Sequence, residues 1–267
     1  MLTPNQILEG IRDADYQRPG LRCLKLFRME ADYFAKLGDE AERLCRRNDP
    51  SDALRFTHVT SWARPYGTVL QFSLLNRSGR YEDTSCDHDQ SCLGKRFHDV
   101  DGYPALADFI RCFPHCLNFR LNVLGAHSGL RAHEEHVTLR LKSGKVGLRA
   151  RFHLPLRTND QAEVMLDGRY YHLSEGIVYF FNNGCAHSAK NPRPRQRLHL
   201  VWDMLMTSQA LHFMFGESKL HDLPMKRFRG RRREVDSHRF SKAGSCRRLA
   251  RWVTESDAQE VSQADIQ

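Results

Sequence analysis

His133 and Glu135 stand two residues apart in the run Ala132-His133-Glu134-Glu135-His136. On an extended strand such residues project to the same side, so an imidazole and a carboxylate can meet one metal ion. A third ligand from a distant strand would complete a facial triad with three open positions, an arrangement suited to iron(II). Open positions are what a chelating 2-oxo acid and dioxygen require. A zinc-protease motif is excluded, because H-E-x-x-H needs a histidine where the chain has Val137. The pair carries little by itself, although it is the only His-x-acid pair among 14 histidines.

His187 supplies the candidate third ligand, three residues after Gly184. Ten residues on, Arg197 heads the alternating stretch Arg-Leu-His-Leu-Val-Trp-Asp. An arginine opening such a strand is expected to be buried, and a buried arginine needs an anion. The distal carboxylate of 2-oxoglutarate needs a planar, two-pronged donor of this kind. Arg193 and Arg195, among prolines and polar residues, read as surface charges.

The elements that must position these residues are legible in outline. From 117 to 206 the chain alternates apolar and polar residues in short runs. Phe119, Leu121 and Val123 form one such series, Phe152, Leu154 and Leu156 a second, and Leu198, Leu200 and Trp202 a third. Asp167-Gly168 between two strand-like flanks predicts a tight hairpin. Many short strands at regular spacing suggest a sandwich or jelly-roll barrel. The stretch up to about Asn48 reads as helical, with Phe34, Leu37, Ala41 and Leu44 at helical spacing. A short helix is expected over 104–113 and another around 208–216, and Thr68 to Gly79 reads as a strand ending in a turn.

Of the 267 residues, 41 are Lys or Arg and 32 are Asp or Glu, but the +9 excess lies entirely between Lys219 and Arg251, where 12 basic residues face 3 acidic ones. That segment would attract phosphates, yet its only aromatics are Phe228 and Phe240, with Trp252 just beyond. A solvated or partner-docking extension is therefore preferred over a nucleic-acid site. The most apolar long stretch, Leu198 to Gly216, is interrupted by His199, Asp203, Gln209 and His212, which makes it a poor membrane span. The start of the chain shows no basic-then-apolar leader pattern, and none of the eight cysteines forms C-x-x-C. Reduced thiols and a cytoplasmic setting are expected. Cys112 and Cys116 read as two small buried thiols rather than metal ligands.

The stretch from Asn118 to Asp203 resembles the aspartyl/asparaginyl β-hydroxylase family, and within it the bacterial L-proline cis-hydroxylases. The resemblance rests on Ala-His-Glu-Glu at 132–135, Arg-Phe-His-Leu-Pro-Leu-Arg-Thr-Asn at 151–159, Tyr-His-Leu-Ser-Glu-Gly-Ile-Val-Tyr-Phe-Phe at 171–181, Ala-His-Ser-Ala at 186–189 and Arg-Leu-His-Leu-Val-Trp-Asp at 197–203. A looser likeness extends through 62–79. It implies a mainly β fold, a double-stranded β-helix of the jelly-roll, cupin-like kind. The chain would then divide into an N-terminal helical segment (1–52), an oxygenase domain (53–207) and a basic C-terminal extension (208–267). It further implies iron(II) at His133, Glu135 and His187, and 2-oxoglutarate held by Arg197 with help from His153. Arg151, and with it Arg64, would meet a substrate carboxylate. The implied reaction uses dioxygen and hydroxylates an unactivated C–H bond of a free amino acid or small derivative, with conversion of 2-oxoglutarate to succinate. Desaturation or epoxidation could use the same triad, whereas a carboxylate at 135 occupies the position a halide would need. Two departures bear on the substrate: the proline hydroxylases carry His-x-Asp where this chain has Glu135, and Lys-Ser-Gly-Lys at 142–145 lies in an insertion. A peptide or a carrier-bound aminoacyl group is the alternative substrate. A cupin-like protein without catalysis, binding nucleic acid through its tail, is the alternative class.

Overall fold

The computed structural model describes residues 2–16, 20–48, 54–55, 69–86, 91–141, 146–216, 224–228 and 260–261. Arg64, the 142–145 segment and most of the basic segment lie outside the described residues. The helices are α1 (Pro4–Arg12), α2 (Ala31–Arg47), α3 (Pro104–Arg111) and α4 (Ser208–Phe215). The strands are β1 (Cys23–Met29), β2 (Leu54–Arg55), β3 (Val69–Ser73), β4 (Cys116–Leu124), β5 (Ser128–His133), β6 (Thr138–Leu141), β7 (Val146–Arg157), β8 (Glu163–Leu166), β9 (Arg169–Tyr171), β10 (Ile177–Phe181), β11 (His187–Asn191), β12 (Arg197–Leu205), β13 (Met225–Arg227) and β14 (Glu260–Val261). Among the described residues, no helix is long and apolar enough to cross a membrane.

The strands form two sheets. The larger runs β13-β1-β10-β7-β12-β4-β3-β2, and β6 also pairs with β7; the smaller runs β5-β11-β8-β9. Pairing along both of these paths is antiparallel. This is a mainly β jelly-roll. The hairpin between β8 and β9 turns at Asp167 and Gly168, both at positive φ (48° and 76°), as a type I′ turn demands. One expectation needs correction. The N-terminal stretch is not helical throughout, since Cys23–Met29 is a strand paired with β10 and β13. Its exposed residues, Lys25 and Arg28, fall three apart. A β-bulge between Lys25 and Phe27 breaks the period-2 signal that would have shown the strand.

The central strands β4, β7 and β12 are buried on both faces, and the alternation assigns each face a different chemistry. Phe119, Leu121, Phe152, Leu154, Leu198, Leu200 and Trp202 enter the main core. There the helices cover them: Leu37, Ala41 and Leu44 of α2, Leu106, Phe109 and Ile110 of α3, and Ala210 and Met214 of α4. Trp202 stacks on Phe119 with ring centroids 5.1 Å apart and takes Phe109 edge-on at 5.6 Å. The opposite face of the same strands is polar. It carries Asn118 and Arg120 of β4, Arg149, Arg151 and His153 of β7, and Arg197, His199 and Asp203 of β12. A second apolar cluster, including Val164, Leu166, Tyr171, Tyr179 and Phe181, joins the two sheets.

Candidate metal centre and anion pocket

Strands β5 and β11 pair so that His133 lies directly opposite His187. The two rings are 4.2 Å apart. Each Nδ1 lies 2.8 Å from the backbone carbonyl two residues earlier, Arg131 for His133 and Cys185 for His187. A carbonyl only accepts, so both Nδ1 atoms carry the proton and both Nε2 lone pairs are available to a metal. Burial, then the neighbouring His133, push the His187 imidazole down to about 3, which keeps it in the neutral, ligating form.

Glu135 completes the cluster: one ligand atom from each of His133, Glu135 and His187 lies within 4.8 Å of the others. Two imidazoles and one carboxylate are the donor set that a facial triad for iron(II) needs. The geometry of the residues therefore fits the group. The Glu135 side chain is 31% exposed, so the cluster opens toward solvent. Its backbone N–H donates to the Asn183 carbonyl at 3.1 Å. The following loop is fixed from below by Asp15, whose carboxylate accepts from Val137 N (3.0 Å), Thr138 N (2.9 Å) and Thr138 Oγ1 (2.7 Å). Gly184 permits this close approach, since a Cβ there would stand 3.0 Å from Asp15 Oδ1 and 3.1 Å from Val137.

Beneath the triad lies a network of charges. Arg151 forks between two carboxylates. It donates to Glu135 from Nη1 (2.6 Å) and Nη2 (2.9 Å), and to Asp203 from Nε (2.7 Å) and Nη2 (2.9 Å). Arg149 reaches Glu135 at 3.2 Å and the His136 carbonyl at 2.6 Å. Asp203, fully buried, also accepts from Asn118 (3.0 Å) and Arg120 (3.3 Å). Burial alone would raise both carboxyls; Arg151 above all, with Arg149 and, at Asp203, Arg120, holds them well below the usual carboxylate range. Arg151 was expected to meet a substrate carboxylate. In this structure its guanidinium is engaged by two carboxylates of the protein itself.

Arg197 is different. It is 4% exposed, and among the described residues no acid pairs with it. Burial pushes its guanidinium down to about 9. Its contacts are to His199, Nε to Nε2 at 2.9 Å and Nη2 to Nδ1 at 3.2 Å. His153, on the adjoining strand, packs its ring on Phe181 at 4.5 Å and leaves a buried Nε2 with no partner. A buried cation without an acid among the described residues, beside an unmatched imidazole nitrogen, has the chemistry an anion would satisfy.

The structure thus gathers His133, Glu135 and His187 into one cluster, and sets Arg197 and His153 on the pocket face of β12 and β7. Sequence reading passed over Asp15, Arg149, Asn183, His199 and Asp203. For Arg149, His199 and Asp203 a signal existed, because each falls at period two from a residue already singled out on the same strand. Asp15 lies in a single 3-10 turn (Asp13–Tyr16) and Asn183 in a loop, and no periodicity points to either. Cys112 and Cys116 donate to separate backbone carbonyls, those of Asp108 (3.2 Å) and Asn118 (3.1 Å), and are not part of the metal cluster.

Residues 99–207 match the family model for Aspartyl/Asparaginyl beta-hydroxylase. That segment is less than half of the chain, but it contains the triad, Arg151, His153, Arg197 and Asp203. The match supports a hydroxylase of this class. Together with the His–Glu–His cluster it supports iron(II), 2-oxoglutarate and dioxygen as its cofactor and co-substrates. No curated protein matches the chain. Similar solved structures include AviO1 from Streptomyces viridochromogenes Tue57 (14% identity, 78% of this chain and 97% of that one, TM-score 0.44). They also include a Pseudomonas putida prolyl-4-hydroxylase (13%, 74% and 100%, TM-score 0.37). A third is a Trichoplax adhaerens prolyl hydroxylase in complex with a hypoxia inducible factor peptide fragment (8%, 82% and 99%, TM-score 0.42).

Proposed function

We propose that this hydroxylase acts on a free amino acid or small amino-acid derivative. His133, Glu135 and His187 would hold iron(II), and Arg197 with His153 would hold 2-oxoglutarate. The observation that carries the reading is the acid-free, buried Arg197 in the same polar pocket as a preset His–Glu–His cluster. We assign the chemistry to residues 53–207, with β1 and β13 from the flanking segments widening the larger sheet.

When bound, the metal supplies the coupling of 2-oxoglutarate decarboxylation to hydroxylation: substrate C–H, 2-oxoglutarate and dioxygen give alcohol, succinate and carbon dioxide. The chain's own residues do the rest. Arg197 neutralises the distal carboxylate and fixes the length of co-substrate that reaches the metal. The backbone carbonyls of Arg131 and Cys185 hold the two imidazoles in the ligating tautomer. Arg151 and Arg149 position the Glu135 carboxylate that would help hold the metal. Three arginines (120, 149 and 151) surround Asp203, an excess of positive charge favouring a substrate with a carboxylate.

The test is succinate formation by protein purified without oxygen, supplied with iron(II) and 2-oxoglutarate and exposed to air against a panel of amino acids. The proposal expects succinate that rises with one amino acid and vanishes in His187→Ala and Arg197→Ala. Turnover only with a peptide or a carrier-bound aminoacyl group would move the substrate to that class. Absence of both metal and 2-oxoglutarate binding would remove the oxygenase reading.

A further inference from the structure

We propose that His199 is a positioning residue that fixes the proton of His153 on Nε2 and so turns His153 into a hydrogen-bond donor for the bound co-substrate. The inference rests on the reading of Arg197 and His153 as the 2-oxoglutarate pocket and assigns a residue that neither the triad nor that reading requires.

Arg197 and His199 lie two apart on β12 and share the pocket face, while His153 projects from the neighbouring β7, where its register partner is Val201. His199 is 3% exposed. Arg197 Nε lies 2.9 Å from His199 Nε2. Arginine can only donate, so that nitrogen must offer its lone pair. Burial and the Arg197 charge keep His199 neutral. A neutral imidazole accepting at Nε2 carries its one proton on Nδ1. The Nη2 group of Arg197 lies farther off, 3.2 Å from that Nδ1, so the shorter Nε contact sets which nitrogen accepts.

The protonated Nδ1 of His199 is 3.4 Å from Nδ1 of His153. For this contact to be a hydrogen bond, His153 Nδ1 must accept with its lone pair, which puts the His153 proton on Nε2. Nε2 of His153 is buried and has no hydrogen-bond partner among the described residues. The relay runs from Arg197 Nε–H to His199, from His199 Nδ1–H to His153, and from His153 Nε2–H into the pocket. It ends in a donor awaiting an oxygen, beside a cation awaiting an anion. A carboxylate or keto oxygen of a 2-oxo acid satisfies both. Without His199, His153 is free to adopt the other tautomer, which would present a lone pair to the same oxygen and repel it.

The experiment uses the full chain, free of metal, with 15N-labelled histidine. Long-range 1H–15N correlation spectra read the tautomer of each ring, and His153 is assigned with a His153→Gln variant. In the wild type His153 should be protonated on Nε2 and His199 on Nδ1. His199→Leu should release His153 into a mixture of tautomers. It should also weaken 2-oxoglutarate binding about tenfold, measured without oxygen in the presence of manganese(II), the loss expected for one hydrogen bond to a charged group. His199→Gln, which keeps one acceptor and one donor, should hold the affinity within about threefold of wild type. A wild-type His153 protonated on Nδ1 overturns the relay, as does a His199→Leu protein with unchanged tautomer and affinity. If the wild type binds no 2-oxoglutarate, the pocket reading fails, and the metal-free spectrum still decides the relay by itself.

Discussion

Replacing Arg197 with methionine separates the role of this residue in binding from its role in stability, because the two should move in opposite directions. Arg197 is buried, its side-chain hydrogen bonds among the described residues go to a neutral imidazole, and burial lowers its guanidinium to about 9. At about 1.4 kcal/mol per pKa unit, that corresponds to about 5 kcal/mol of charge-burial cost in the ligand-free protein. Methionine of similar length removes the cost but also removes the donor to His199, a loss of about 1–2 kcal/mol. Relaxation around the charge reduces the gain further, leaving the variant about 1–3 kcal/mol more stable than the wild type without ligand. In a thermal melt that is a rise of roughly 2–10 °C. Addition of 2-oxoglutarate at a hundred times its Kd should then stabilise the wild type by about 2.7 kcal/mol and leave the variant unmoved. A methionine variant that melts below the wild type, or that still responds to 2-oxoglutarate, would refute the claim that an unpaired cation waits in this pocket.

Three further outcomes are expected. Asp203→Asn leaves Arg151, Arg149 and Arg120 short of their shared buried counter-charge, which should destabilise the protein by about 3–5 kcal/mol and lower Tm by roughly 6–15 °C; an unchanged melt would show that the network is not maintained in solution. The metal-free protein should lose stability steadily as pH falls from 7 toward 4. His187, at about 3 when folded, and His153 and His199, also pushed down by burial, stay neutral in the native state while the same residues take up protons in the unfolded chain near 6.5. His187→Gln should remove about one proton from that dependence, read from urea midpoints across the pH series. Asp15→Ala strands the Val137 and Thr138 donors and loosens the loop after Glu135. It should weaken manganese(II) binding about tenfold by isothermal titration, and equal affinity would confine Asp15 to a purely structural part.

How far the sequence led differs from one part of the molecule to another for physical reasons. Strands β4, β7 and β12 were legible because their apolar residues recur at period two, and helix α2 because Leu37, Ala41 and Leu44 recur along one face. Strand β1 was not, since its bulge and its burial on both faces erase the alternation. In the site, residue type and spacing were enough to single out the His133–Glu135 pair, His187 and Arg197. The partnership of Arg151 with Asp203 was not readable in the same way, because it depends on a cross-strand register that places positions 52 residues apart side by side. Nor could the tautomer relay be read from sequence, because it depends on which nitrogen of His199 faces Arg197.

The division of β12 into a charged face and an aromatic face also bears on how the sheet finds its pairing. A slip of one residue against β4 and β7 would thrust Arg197, His199 and Asp203 among Phe109, Phe119 and Phe152, and turn Trp202 toward the metal cluster. Every misregistered pairing of odd offset would therefore bury unmatched charge in an aromatic environment. The residues that make the pocket reactive thus also act as a proofreading device for the assembly of the sheet that holds them.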